Sequence, residues 1–186
     1  MFCSMRRAAS WTHPLHERLK PRLARTMPRQ YIARVEEWRK NLIEDDEPRI
    51  DELLRSSRRV AVLGIKTDAQ RGQPAFYVAA ALQEMGLEIV PVPVYFPDAV
   101  QILGQQVYRK LADVPGDLDI VDVFRRSGDV AAHLPDLLAK KPRAVWLQSG
   151  IRDDRTAETL ARAGILVVQD RCLMVDYRGV SRSAAR

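Results

Sequence analysis

The chain has 186 residues, 46% of them apolar, which suits one compact domain with an appendage and supplies enough hydrophobic side chains for a core. Its formal charge of +6 is not a nucleic-acid footprint, because it sits in one stretch: residues 1–29 carry Arg6, Arg7, Arg18, Lys20, Arg22, Arg25 and Arg29 against Glu17, and the other 157 residues hold 23 basic and 23 acidic side chains. No run of about 18 apolar residues is present to cross a membrane, and two cysteines, Cys3 and Cys172, give neither a disulfide framework nor metal-ligand spacing, as suits a reducing cytoplasm.

The basic stretch 1–29 lacks the continuous apolar segment of a secretory signal. Its Arg-rich, acid-poor character has something of an organelle transit peptide, and we read it as a disordered extension with Met27 as an alternative initiator. Residues 30–57 read as N-terminal helices over Tyr31–Lys40 and Pro48–Ser56, the second with an apolar face of Ile50, Leu53 and Leu54. It feeds directly into Val60–Leu63, a continuous apolar run expected of a strand covered on both faces in a parallel sheet. Gly64 permits a sharp turn, Pro74 can open a helix because its missing N–H would be unpaired there, and Ala75, Val78, Ala79, Leu82 and Met85 recur at helical spacing up to a stop at Gly86. A strand, loop and helix in this order aim a helix N-terminus and backbone N–H groups at a phosphate.

The glycine spacing and the second strand narrow the cofactor. Gly64 and Gly72 do not match G-x-G-x-x-G, and the next strand, Leu87–Val94, ends in Val92, Pro93 and Val94 with no carboxylate after Glu88 to hold a ribose. An ordinary NAD dehydrogenase is disfavoured, whereas an NADP reader using Arg71 stays open. A connection, Tyr95 to Gly116, leads to a third strand at Leu118–Phe124. Ser127 is expected to cap a helical region running to about Lys141, kinked by Pro135 or beginning near Leu134. Ala144–Leu147 reads as the fourth strand, Asp153 caps a helix through Ala163 that Gly164 stops, and Ile165–Val168 is the fifth strand. This alternation predicts a single doubly wound, Rossmann-like α/β domain of about five parallel strands with helices on both faces, over residues 58–178, followed by a C-terminal tail at 179–186. Ligands of such sheets bind outside the carboxyl ends of the strands, which groups Gly64–Gln73, Val92–Val94, Phe124–Arg126 and Gln148–Gly150.

Five segments in this order, VAVLGIKTD at Val60–Asp68, ILG–VY within Ile102–Tyr108, DIVDVFRR at Asp119–Arg126, VWLQSGI at Val145–Ile151 and DRCLMV at Asp170–Val175, resemble the small CoA-binding domain proteins, relatives of the nucleotide-binding domain of the succinyl-CoA synthetase alpha subunit. The resemblance spans roughly Arg49 to Arg178 and implies binding of coenzyme A through its ADP portion. It implies that the loop Gly64, Ile65, Lys66 and Thr67, with the helix start at Pro74, offers N–H groups to the pyrophosphate, and that Lys66 and Arg71 add charge for the phosphates. It further implies an apolar adenine wall at Val92 and Pro93, Phe124 and Arg125 bordering the cleft, and Gln148 and Gly150 at the corresponding end of the fourth strand. The chain departs from the family's Asn-Pro pair after the second strand, having Pro93-Val94 there.

The residues have plainer readings beside these. Lys66 and Arg71 fit solvated loop charges, Phe124 a core filler, Arg125 and Arg126 a shield for the strand end, and Cys172 a small buried hydrophobe. For catalysis the sequence offers His13 and His16 in the basic stretch and His133 in a helical segment read as lying away from the strand ends. Asp119 and Asp122 lie in a strand with no obvious partner, and Asp170, Arg171 and Cys172 read as a structural cluster. The reading is therefore a cytoplasmic, non-enzymatic CoA-binding module with a small-molecule nucleotide cofactor, no nucleic-acid or membrane partner and the capacity for a homodimer. The alternatives are an NADP- or nucleotide-sugar-dependent enzyme using the same cleft, and a partner-binding subunit whose cleft is vestigial.

Overall fold

The computed structural model describes residues 37–184. The basic stretch 1–29 and most of the helix expected over Tyr31–Lys40 lie outside the described residues; what is described of the latter region is a 3-10 turn over Glu37–Asn41 rather than an α-helix.

In chain order the strands are β1 (Leu42–Ile43), β2 (Arg59–Leu63), β3 (Glu88–Val92), β4 (Gln101–Ile102), β5 (Gln105–Gln106), β6 (Ile120–Val123), β7 (Ala144–Leu147) and β8 (Leu166–Val168). The helices are α1 (Glu47–Ser56), α2 (Pro74–Glu84), α3 (Ser127–Val130), α4 (Leu134–Lys140), α5 (Asp154–Arg162) and α6 (Leu173–Ala184). Six strands form one parallel sheet in the order β1-β8-β7-β6-β2-β3, and β4 and β5 form a small antiparallel ribbon within the long connection after β3. The sixth strand, beyond the five expected, is the two-residue edge β1, which pairs Leu42 with Val167 and Ile43 with Val168.

β2 lies between β3 and β6, so its side chains are needed on both faces of the sheet. Val60 and Val62 pack into the layer that holds Ile50, Leu53 and Leu54 of α1, Val78 and Leu82 of α2, and Tyr177 of α6. Ala61 and Leu63 pack into the opposite layer, with Leu137 of α4 and Leu160 of α5. A strand with two apolar faces has no polar side to alternate with, which is why it reads as an unbroken run.

The helix ends follow local chemistry. The Asp46 side chain accepts from the Arg49 N–H at the start of α1, and that of Asp153 accepts from the Thr156 N–H at 3.1 Å at the start of α5. Ser127 does not cap: Arg126 holds the N-cap position, Ser127 is the first helical residue, and its Oγ accepts from the Arg152 N–H. Pro135 is accommodated as expected, because the segment breaks into α3, a 3-10 turn over Ala131–His133, and a new helix beginning at Leu134. Residues read as a C-terminal tail from 179 onward continue α6 to Ala184.

The chain leaves β2 toward β3 on one side and then crosses to β6 on the other. The direction of winding therefore reverses between β2 and β6, and a crevice opens at their carboxyl ends. Gly64 and Phe124 meet at that point. Gly64 has φ +90, and a Cβ on it would fall 2.4 Å from the Phe124 carbonyl oxygen, so only glycine fits.

Candidate functional site

Arg125 follows Phe124 across the mouth of this crevice. Its stem lies over Gly64, with Cδ 3.3 Å from where a Cβ would stand. Its guanidinium carbon lies 5.3 Å from the centre of the Tyr95 ring, and its Nη2 reaches the Asp129 carboxylate at 3.4 Å. Nε is buried and has no hydrogen-bond partner among the described residues. An orphaned buried donor costs about 1–3 kcal/mol, so the fold holds Arg125 in a position that an acceptor at the cleft would relieve. Lys66, from the loop after β2, brings Nζ to 5.1 Å from the Tyr95 ring and 5.4 Å from the Phe96 ring. Two cations from the ends of adjacent strands thus converge on one exposed aromatic side chain. The Arg125 guanidinium, as donor and as charge, holds the Tyr95 phenol below its ordinary pKa.

Beside the ring is a cavity of about 250 Å³ bounded by Leu63, Pro93, Tyr95, Arg109, His133 and Asp136. Its two charged residues hold the walls in place. Arg109 donates to the carbonyls of Phe96, Pro97 and Ala99, and the Asp136 carboxylate accepts from the N–H groups of Leu111 and Ala112. His133 is half-buried here, and desolvation followed by the nearby charge of Arg125 lowers its pKa. The expectation that His133 lies away from the strand ends is corrected: the break at Pro135 turns the 3-10 segment so that His133 faces Pro93 and Leu63.

The remaining residues singled out from sequence divide by position. Pro93 is a wall of the cavity, whereas Val92 is buried in the core layer beneath it. Phe124 is partly buried against the opposite core layer. Ile65 is a core side chain, and Thr67 forms a capping box with Gln70 that closes the loop. Arg71 is 75% exposed and, among the described residues, pairs with Asp68 at 3.6 Å, and Pro74 is the first residue of α2. Gly150 has φ +79 and donates its N–H to Asp170 at 2.6 Å. Gln148 is buried and turns its amide inward, donating to both carboxyl oxygens of Asp122 at 2.9 Å each. Asp122 therefore has a partner, contrary to the sequence reading. Asp119 stands just before β6 and accepts from the N–H groups of Arg58 and Arg59. Arg171 pairs with Glu47 and Asp176 rather than Asp170, tying the start of α1 to that of α6.

Sequence reasoning missed Tyr95 and Arg109. An aromatic after a strand and an arginine in a long connection carry no periodic signal, and both become visible only when the connection folds back. Among the described residues no group of three or more His, Cys, Asp or Glu side chains could hold a metal ion, and no helix is long and apolar enough to cross a membrane.

The chain is similar in sequence and fold to other proteins. The YneT protein of Bacillus subtilis (strain 168), itself uncharacterized, is 32% identical over 128 residues, which is 69% of this chain and 91% of YneT. A Thermus thermophilus protein of solved structure, cell-free ID.343, is 38% identical with a TM-score of 0.68, covering 73% of this chain and 98% of that one. A dinucleotide-forming acetyl-coenzyme A synthetase of Ca. Korarchaeum cryptofilum, solved with phosphate and ADP, shares the fold at 20% identity and a TM-score of 0.51, over 63% of this chain and 27% of that chain. Residues 58–178 match the CoA binding domain, and the chain belongs to that family.

Proposed function

We propose that the protein binds coenzyme A or an acyl-CoA through its ADP portion, at the carboxyl ends of β2, β3 and β6, without catalysis of its own. The observation that carries this reading is Arg125: a guanidinium packed on Gly64 at the reversal of the sheet, its Nε buried without an acceptor, and Lys66 converging on the same ring. A phosphate oxygen supplies the missing acceptor for Nε and a negative charge closer to both cations than the long contact of Arg125 to Asp129 provides, and a planar guanidinium suits it. The cavity beside Tyr95 is apolar at Leu63 and Pro93 and takes a flat base. His133 is the one histidine among the described residues; with no nucleophile paired to it, it serves as a wall of the cavity.

A thermal-shift panel tests the ligand. A ligand that binds only the native state raises the melting temperature in proportion to the logarithm of its concentration above Kd. CoA and acetyl-CoA should raise it more than NAD or NADP at equal concentration. A larger shift with NADP would favour an NADP-dependent enzyme instead.

A further inference from the structure

Resting on that reading, we infer that the Tyr95 ring occupies the seat of the ligand's anionic group in the unliganded protein, and that the anion displaces it from Lys66 and Arg125. The ring is the shared neighbour of the two cations. Arg125 is otherwise held at the cleft by its stem on Gly64 and the long contact to Asp129, and Lys66 is over Tyr95 and Phe96. An exposed cation–π contact, or a hydrogen bond to a neutral phenol oxygen, is worth less than a hydrogen bond between a cation and an anionic phosphate oxygen. A phosphate therefore competes successfully for both cations, and it also satisfies the Arg125 Nε that the ring leaves orphaned.

The ring is free to leave because it is 55% exposed and so gives up little buried surface. The backbone behind it is not. Phe96 sits at φ +68, and Arg109 ties together the carbonyls of Phe96, Pro97 and Ala99. The movement is thus a side-chain swing about a pinned loop, on the timescale of rotamer exchange, rather than the opening of a lid. The consequence is that Tyr95 weakens binding: it lowers affinity for every phosphate-bearing ligand by the fraction of time it holds the cations.

Titration calorimetry with ADP on the full chain tests this. Tyr95→Ala removes the occupant and should bind ADP about three- to tenfold more tightly than wild type, the worth of one or two exposed cation–π contacts. Tyr95→Phe keeps the ring face but loses the hydroxyl to which Arg125 donates, and should fall between wild type and Tyr95→Ala. Tyr77→Ala, an exposed tyrosine on α2, controls for loss of an aromatic elsewhere. Weaker binding by Tyr95→Ala would mean that the ring is a platform for the ligand, and unchanged binding would mean that it does not hold the seat; either overturns the inference while leaving nucleotide binding intact. If neither wild type nor any variant bound ADP at millimolar concentration, the nucleotide reading itself would fall, and this inference with it.

Discussion

Gln148 donates its side-chain amide to both carboxyl oxygens of Asp122, across the pairing of β6 with β7, and Asp122 is completely buried. Burial pushes the Asp122 pKa up to about 8, against which the Gln148 hydrogen bond works in the opposite direction. A carboxyl group in the layer of Val62 and Trp146 is held neutral by its surroundings at physiological pH.

That placement sets a pH dependence of stability. The unfolded chain loses this proton near pH 4, whereas the folded chain keeps it to about 8. Between those values the unfolded state binds fewer protons, so Asp122 makes stability fall as pH rises, by up to about 1.4 kcal/mol per pH unit. Asp122→Asn removes the ionisation and keeps an acceptor for Gln148. Urea denaturation at pH 5, 6.5 and 8 should show the variant gaining on wild type at each step. Parallel pH profiles would place the Asp122 pKa near its ordinary value.

Gly64→Ala should cost at least about 2 kcal/mol, from an L-residue in the left-handed region together with the clash on the Phe124 carbonyl. Gly72→Ala, in the same loop with nothing near its Cβ position, should be close to neutral. Denaturant midpoints for the two variants check the contrast, and equal midpoints would show that β2 and β6 do not approach at Gly64.

The imidazole of His133 should titrate below the ordinary histidine range in a nitrogen-detected NMR titration. Its depressed folded pKa gives stability that is present above the ordinary value and lost as pH falls through it. Arg125→Met removes the second cause of the depression and leaves desolvation in place, so the midpoint should move part of the way up. An unmoved midpoint would separate Arg125 from the cavity.

The parts of this molecule that were legible in sequence are those where one physical demand fixes a run of residues. Val60–Leu63 and Ala144–Leu147 are apolar because both of their faces are covered, and Asp153 marks its helix because the first amides need an acceptor. β1 was illegible because two backbone pairings with β8 hold it and leave no pattern. At the site, Gly64, Lys66, Pro93, Phe124 and Arg125 could be placed from strand ends alone. The link between Asp122 and Gln148 could not, since the two are 26 residues apart and an aspartate inside an apolar run gives no hint of its partner. The position of His133 depended on how the chain bends at Pro135, and that of Tyr95 on the three carbonyls held by Arg109.

The most direct measurement is a calorimetric titration of coenzyme A into wild type, Arg125→Met and Arg71→Ala, with the melting temperature of each recorded alongside. Wild type should bind one CoA per chain. Arg125→Met should lose about 1.5–3 kcal/mol of binding, roughly ten- to a hundredfold in Kd, because a charged hydrogen bond to a phosphate is removed. Its melting temperature should change little, since the long Nη2 contact to Asp129 is lost while the orphaned buried Nε is removed with it. Arg71→Ala, whose side chain stands in solvent beside Asp68, should change affinity far less. CoA binding undiminished in Arg125→Met, or no CoA binding by wild type, would contradict the account.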